Sequence, residues 1–309
     1  MPSRRNLLFV VCQTISVFVA LTALAEDVPR LSFATKRFGG VQIMTIGIDG
    51  SNPVQITHET EEATQPAWSP DGTKLAYLVG PRQQGKIKIC DADGGNAHVL
   101  FDGEGPQRSP AWSPDGKQIA FSMESRATNN YHIFVTDADG THLKNITGDR
   151  PYASSPAWCP DGSKIACSSQ RPSGNLGLFV MKSDGSQMVD LVGRDMHGWS
   201  YPCWSSDGKQ IAYGQSDEDQ RCQLRQINAD GSGDILLVDG PKSYSFAAWS
   251  PDGRYLAYAS GPISETADLC LYDVLSAEHR VALHDEVFEM PYQDGPPAWV
   301  RRQKSEGNH

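Results

Sequence analysis

Four sets of residues in this chain have the types and spacing that chemistry could use. The first is Gly198-Trp-Ser-Tyr-Pro202, a serine set between aromatics after a glycine. Acyl transfer by serine needs a Gly-x-Ser-x-Gly elbow on a strand-to-helix turn, with an acid and a histidine later in the chain. The second glycine is missing here and no such elbow occurs elsewhere, so a serine hydrolase is excluded. The second set is Asp-x-Asp-Gly, at Asp91 to Gly94 and Asp137 to Gly140, with looser copies Lys182-Ser-Asp-Gly185 and Asn228-Ala-Asp-Gly231. These strings open like a calcium loop, but no bidentate glutamate follows at the required spacing, and they read as hairpin turns. The third set is the histidines, His58, His98, His132, His142, His197, His279 and His284, which are scattered and contain no His-x-His pair. Lone histidines are mostly surface or hydrogen-bonded groups; His197 is the one whose position favours a ligand role.

The fourth set is aromatic. In the segments that lead into Trp158, Trp204, Trp249 and Trp299 stand Tyr152, then Trp199 and Tyr201, then Tyr244 and Phe246, then Phe288 and Tyr292. The corresponding segments before Trp68 and Trp112 are polar, with Glu59, Glu61, Glu62, Asp102, Glu104 and Arg108 and no aromatic beyond Phe101. Rigid aromatic side chains suit a protein hot spot or stacking on a sugar ring. The candidate binding residues are therefore Tyr152, His197, Trp199, Tyr201, Tyr244, Tyr292 and Asp294, with the acidic segments steering partners by charge. Tyr201 and Phe246, three residues before a repeat tryptophan, also suit packing between neighbouring repeats. No catalytic residue, metal ligand or cofactor is assigned.

A repeating scaffold positions these residues. The string Ala-Trp-Ser-Pro-Asp-Gly recurs around Trp68, Trp112, Trp158, Trp204 and Trp249, and a truncated Pro297-Ala-Trp299 closes the series at intervals of 44, 46, 46, 45 and 50 residues. That period belongs to four-stranded propeller blades. In each unit an apolar strand meets a Pro-Asp-Gly turn and a second strand of alternating character, as in Ser109 to Phe121. Proline presets φ, aspartate bonds to nearby backbone, and glycine takes the positive φ. A variable loop such as 123 to 131, a third strand near Ile133 to Thr136, a second turn and a fourth strand near Leu143 to Thr147 complete the unit.

The expected fold is thus an all-β, six-bladed propeller over residues 26 to 300. Leu31-Ser-Phe-Ala34 matches a second strand without a first, and Pro297-Ala-Trp-Val300 is a first strand without the other three. Together they make one blade, which removes the edges an open ring would expose. The hairpin turns emerge on one monotonous face. The interblade connections and the loops between second and third strands emerge on the other, which is where function is expected.

The remaining composition fits an exported domain. Arg4 and Arg5 precede an apolar run from Leu7 to Leu24, and Ala23-Leu-Ala25 offers a small-x-small cleavage site, so residues 1 to 25 read as a signal peptide and 301 to 309 as a polar tail. Of 27 basic side chains two lie in the leader, which has no acid, so 25 face 37 acidic ones and the net charge of the remainder is −12. Such a surface repels phosphate backbones and argues against nucleic acid. The six remaining cysteines, Cys90, Cys159, Cys167, Cys203, Cys222 and Cys270, allow fifteen pairings. Cys159 and Cys167 flank one turn, but pairing Trp158 with Ile165 separates their thiols, and Cys167 holds the place of Tyr77, Phe121, Tyr213 and Tyr258, that of a core hydrophobe.

The string Pro-Ala-Trp-Ser-Pro-Asp-Gly followed by Lys-x-Ile-Ala-Phe/Tyr resembles the WD40-like repeat of the TolB family, from Leu31 to Val300. That resemblance implies an envelope protein that binds other proteins and does no chemistry. TolB carries an α/β domain before its ring, whereas only Glu26 to Arg30 precede the first strand here, so TolB's own partners do not follow directly. The repeat also resembles that of oligogalacturonate lyases, which hold a divalent ion with a cluster of His and Gln. The reading is a non-catalytic binding propeller of the periplasm or exterior, without cofactor or membrane span after cleavage, presenting its channel mouth to an envelope protein. The alternative is a carbohydrate-binding or metal-dependent lyase propeller.

Overall fold

The structure is a computed structural model that describes residues 28 to 300 apart from 38, 82, 104, 127, 151, 194 to 199, 217 to 221, 239 to 242, 262 to 265 and 290 to 295. Of residues 216, 222, 243 to 246, 266, 267 and 284 to 289 it describes the backbone. The repeat string generates the same antiparallel sheet six times. From the inside outward, blade 1 is β24 (Ala298–Trp299), β1 (Arg30–Thr35), β2 (Gln42–Gly47) and β3 (Val54–Gln55). Blade 2 is β4 (Ala63–Trp68), β5 (Lys74–Val79), β6 (Lys86–Asp91) and β7 (His98–Val99). Blade 3 is β8 (Gln107–Trp112), β9 (Gln118–Ser125), β10 (Asn130–Asp137) and β11 (Lys144–Asn145). Blade 4 is β12 (Ala153–Trp158), β13 (Lys164–Gln170), β14 (Leu176–Lys182) and β15 (Val189–Asp190). Blade 5 is β16 (Cys203–Trp204), β17 (Gln210–Ser216), β18 (Cys222–Asn228) and β19 (Ile235–Val238), and blade 6 is β20 (Ser243–Trp249), β21 (Tyr255–Gly261), β22 (Thr266–Asp273) and β23 (Glu278–Glu289).

Two expectations change in length. The variable loop of blade 3 shrinks because β9 and β10 pair as far as Ser125 with Asn130, and the fourth strand of that blade is only two residues long. The two-residue outer strands of blades 1 to 4 limit the unpaired edge those blades show to solvent, whereas β23 of blade 6 runs for 12 residues.

The split blade closes as the ends require. Leu31 pairs with Trp299 and Ser32 with Ala298, and the amide of Val300 donates to the carbonyl of Arg30 at 3.0 Å. The blades hold together through two layers of side chains. Leu75, Ile119, Ile165, Ile211 and Leu256 occupy one position of the second strands and are completely buried, each followed by a buried alanine that lets the next sheet approach. The core clusters draw on adjacent blades: Ala120 and Ile133 of blade 3 pack with Ala153, Ile165 and Cys167 of blade 4. Cys167 is thus a core residue, unpaired, with burial pushing its thiol up to about 12, and Cys90, Cys159 and Cys203 are unpaired too.

Nearer the axis, the repeat tryptophans form a hydrogen-bonded ring. The indole N–H of Trp112 donates to the Ala67 carbonyl at 3.1 Å, that of Trp158 to Ala111 at 3.2 Å, that of Trp204 to Ala157 at 3.1 Å and that of Trp299 to Ala248 at 2.9 Å. Each bond reaches the preceding blade, so the same residue fills the core and ties two sheets. At the closure Trp68 donates instead to Ser32 Oγ at 2.8 Å, and the buried Trp249 N–H has no acceptor among the described residues.

Candidate channel mouth

Proline within the repeat string shapes the mouth. It has no N–H to give to the ladder, and the first strands bulge around it, the register shifting between Thr64 and Ala67, Arg108 and Ala111, and Ser154 and Ala157; blade 6 carries the same shift between Ser245 and Ala248 with Ala247 in the proline's place. The residue before each proline is turned into the left-handed region, with φ of 55° at Gln65, 54° at Ser109, 55° at Ser155 and 36° at Tyr201. A non-glycine residue there costs on the order of 1–2 kcal/mol. These residues and the prolines Pro66, Pro110, Pro156, Pro202 and Pro296 line the neck of the channel. Side chains brace the bulges: Gln65 Oε1 accepts the Ser109 amide at 2.5 Å, and Ser122 Oγ accepts the Ser155 amide at 3.0 Å.

Above the neck, between blades 3 and 4, one cation is held by two aromatics. The Arg108 guanidinium lies 3.4 Å from the centre of the Tyr131 ring and donates from Nη2 to the Tyr152 hydroxyl at 2.7 Å. That hydroxyl donates in turn to Ser154 Oγ at 2.9 Å, and the Tyr131 and Tyr152 rings meet edge to face at 6.2 Å. Arg108 is only 7 % exposed while both tyrosines are half-buried, so the group is rigid beneath and accessible above. Farther out, between blades 2 and 3, a groove with about 1160 Å³ of open space is bordered by Gln83, Gln84, Lys86, Asp102, Glu124 and Arg126. Lys86 closes its floor by donating to the Gly103 carbonyl.

Of the candidate residues, Tyr152 sits in this cluster at the mouth, partly covered and doubly hydrogen-bonded. Tyr201 lies in the channel neck and packs on the core shared by blades 6 and 1, the packing that its place three residues before a repeat tryptophan suits. Tyr244 is on β20 opposite Ser260, and its side chain is not among those described. His197, Trp199, Tyr292 and Asp294 lie outside the described residues. The sequence reading missed Arg108 and Tyr131 as partners of Tyr152. Arg108 stood in a segment read as polar, and its contact with Tyr152 spans 44 residues; no local pattern announces such a pair. The histidines divide: His132 is 2 % exposed, shares a 2.9 Å hydrogen bond with Thr128 Oγ1, and burial lowers its pKa. Among the described residues no three His, Cys, Asp or Glu side chains gather where a metal ion could sit, and no helix is long and apolar enough to cross a membrane.

Comparison with known proteins places this geometry. The family model of the TolB beta propeller domain matches residues 26 to 300. The Tol-Pal system protein TolB of Methylobacillus flagellatus is 34% identical over 76 residues, which is 25% of this chain and 18% of that protein. The match therefore spans less than a fifth of the curated relative. The crystal structure of TolB from Acinetobacter baumannii superposes with a TM-score of 0.73 at 19% identity, over 96% of this chain and 75% of that one. An oligogalacturonate lyase in complex with manganese shares the fold more distantly, with a TM-score of 0.54 at 14% identity over 82% of this chain and 72% of that one.

Proposed function

Because this chain belongs to the TolB beta propeller domain family, we propose that it is a non-catalytic binding propeller of the cell envelope, whose channel mouth receives a protein partner. The observation that carries this reading is the Arg108, Tyr131 and Tyr152 cluster. Arginine and tyrosine dominate hot spots when they are desolvated and pre-ordered, and here the strand framework has already fixed their geometry, so little side-chain freedom remains to be lost on binding. Export through the leader at residues 1 to 25 places the mouth in the periplasm or outside the cell. The relatives named for the Tol-Pal system support an envelope protein as the partner, and the net charge of −12 favours one with a basic surface. In this reading Trp199, Tyr201, Tyr244 and Tyr292 continue the aromatic rim, with His197 and Asp294 as polar contacts.

The test is capture from envelope extract followed by affinity measurement on the isolated partner. Arg108→Ala, Tyr152→Ala, Trp199→Ala and Tyr244→Ala variants are compared after circular dichroism shows them folded. Losses of about 2 kcal/mol or more are expected in at least two of them. If all bind within about 0.5 kcal/mol of the unmodified protein, the site lies elsewhere. Capture of oligosaccharide in place of protein would favour the carbohydrate alternative.

A further inference from the structure

Of the histidines whose side chains are described, His132 alone is buried, and it lies between the segments that carry the two tyrosines of the mouth. It follows Tyr131 on β10 and faces the other side of that sheet. The ladder that pairs Phe134 with Asn145 continues beside it: the Ile146 amide donates to the Ile133 carbonyl at 3.0 Å, and Thr147 Oγ1 accepts the Ile133 amide at 3.0 Å. The chain then passes the imidazole at Gly148 and Asp149 and reaches Tyr152 three residues later. One ring thus stands between the strand that holds Tyr131 and the connection that holds Tyr152.

The hydrogen bonding of this ring is half complete. Nε2 shares a 2.9 Å bond with Thr128 Oγ1 at the tip of the β9–β10 hairpin, while Nδ1 is buried without a partner among the described residues. In the neutral ring Nε2–H donates to Thr128 and Nδ1 keeps a bare lone pair. A proton on Nδ1 turns that atom into a charged donor sealed from water, and a buried donor without an acceptor is costly. The backbone of Gly148 and the carboxylate of Asp149 can relieve it; they act on the ring but stop short of a hydrogen bond. The other charged groups on the surrounding elements are Glu124 on β9, Arg126 at the hairpin tip, Lys86 and Asp102 across the groove between blades 2 and 3, and Arg150 beside Asp149. None of them bears on the ring as Asp149 does.

We propose that His132 is a proton-operated latch of the mouth: a proton taken from solvent at Nδ1 draws Gly148 and Asp149 onto the ring, and the moving connection carries the Tyr152 hydroxyl off Arg108. The bond it breaks is sensitive to position. Arg108 and Tyr152 meet at 2.7 Å, and a displacement of about 1 Å takes the pair beyond hydrogen-bond distance. Burial favours the neutral ring, so the latch is closed above about 6.5 and opens on the acid side of that value. The consequence rests on the reading of the cluster as a binding site: a partner held by Arg108 and Tyr152 is released as pH falls.

The experiment follows the full protein by NMR from about pH 7.5 to about 4.5, reading the His132 ring and the Arg108 Nε–H, each assigned by its loss in His132→Gln or Arg108→Lys. Both signals should move with one midpoint below about 6.5. In His132→Gln the Arg108 signal should keep its neutral-pH position throughout. Asp149→Asn leaves the buried ring in place and should lower the shared midpoint, because it removes the carboxylate that favours the imidazolium. A ring still neutral at the onset of acid unfolding, an Arg108 signal that ignores the His132 titration, or a midpoint that Asp149→Asn leaves unchanged would each overturn the latch. None of these readings needs a partner. An isolated partner should bind at least about fivefold more weakly to the latch-open protein; if the two signals move together and its affinity does not, the latch stands and the reading of the cluster as the binding site falls.

Discussion

Replacing Trp299 by alanine tests whether the ring is closed by the last strand. The side chain is 6 % exposed, packs with Leu31, Phe33, Ala257 and Leu271 across blades 1 and 6, donates to the Ala248 carbonyl at 2.9 Å, and stacks at 6.5 Å on Tyr255. Emptying a buried tryptophan site costs about 3–5 kcal/mol; within that, the hydrogen bond contributes about 1 kcal/mol and the stacked pair about 0.5–1.5 kcal/mol. The upper half of the range is expected, about 4–5 kcal/mol, because the cavity would open at the seam between the two ends of the chain. Trp299→Phe keeps the packing, loses the donor, and should cost about 1–2 kcal/mol. Urea unfolding followed by far-ultraviolet circular dichroism and by fluorescence measures both, with coincident transitions checking cooperativity. Deleting residues 296 to 300 should destabilise at least as much as Trp299→Ala, whereas deleting 301 to 309 should change stability by less than about 0.5 kcal/mol. An alanine cost below about 1 kcal/mol, or equal midpoints for the two truncations, would refute closure by this strand.

Other outcomes follow from the same structure. His132 is buried with its pKa lowered, so its neutral form is favoured by folding: its contribution is complete above the unfolded value of about 6.5 and is lost as pH falls toward the folded value. His132→Asn should flatten stability against pH just below 6.5, and an unchanged slope would count against that burial. The turn aspartates titrate low, so their stabilising contribution is present above about 3.9 and disappears below it; Asp71→Asn with Asp115→Asn should make acid unfolding shallower, as read by circular dichroism. At the strained bulge, Ser109→Gly should leave stability within about 1 kcal/mol of the original. Ser109→Val should lower it by at least about 1 kcal/mol, since a β-branched side chain resists φ of 54°; equal melting temperatures would contradict the strain.

The amino-acid sequence by itself determined the propeller, and it did so through repetition. Six tryptophans at a near-steady interval, four of them followed by Pro-Asp-Gly and Trp204 by Ser-Asp-Gly, specify a strand, a turn and a strand with local physics alone, and the mismatched ends specify how the ring shuts. The register of Trp158 with Ile165 and the core position of Cys167 were legible for the same reason: the period-2 alternation of a strand assigns each residue a face. What only the tertiary structure decided are relations between blades. Whether an indole N–H finds the carbonyl of the preceding blade, whether Arg108 lies beneath Tyr131 and Tyr152, and how far β9 and β10 extend each depend on residues brought together by ring closure. The left-handed residues before Pro66, Pro110, Pro156 and Pro202 make the point most sharply. Local preference steers such a residue toward extended backbone, and the packing of six sheets around a narrow axis overrides it; β20, with Ala247 in the proline's place, shifts register at the same point, so the bulge belongs to the blade and not to proline alone.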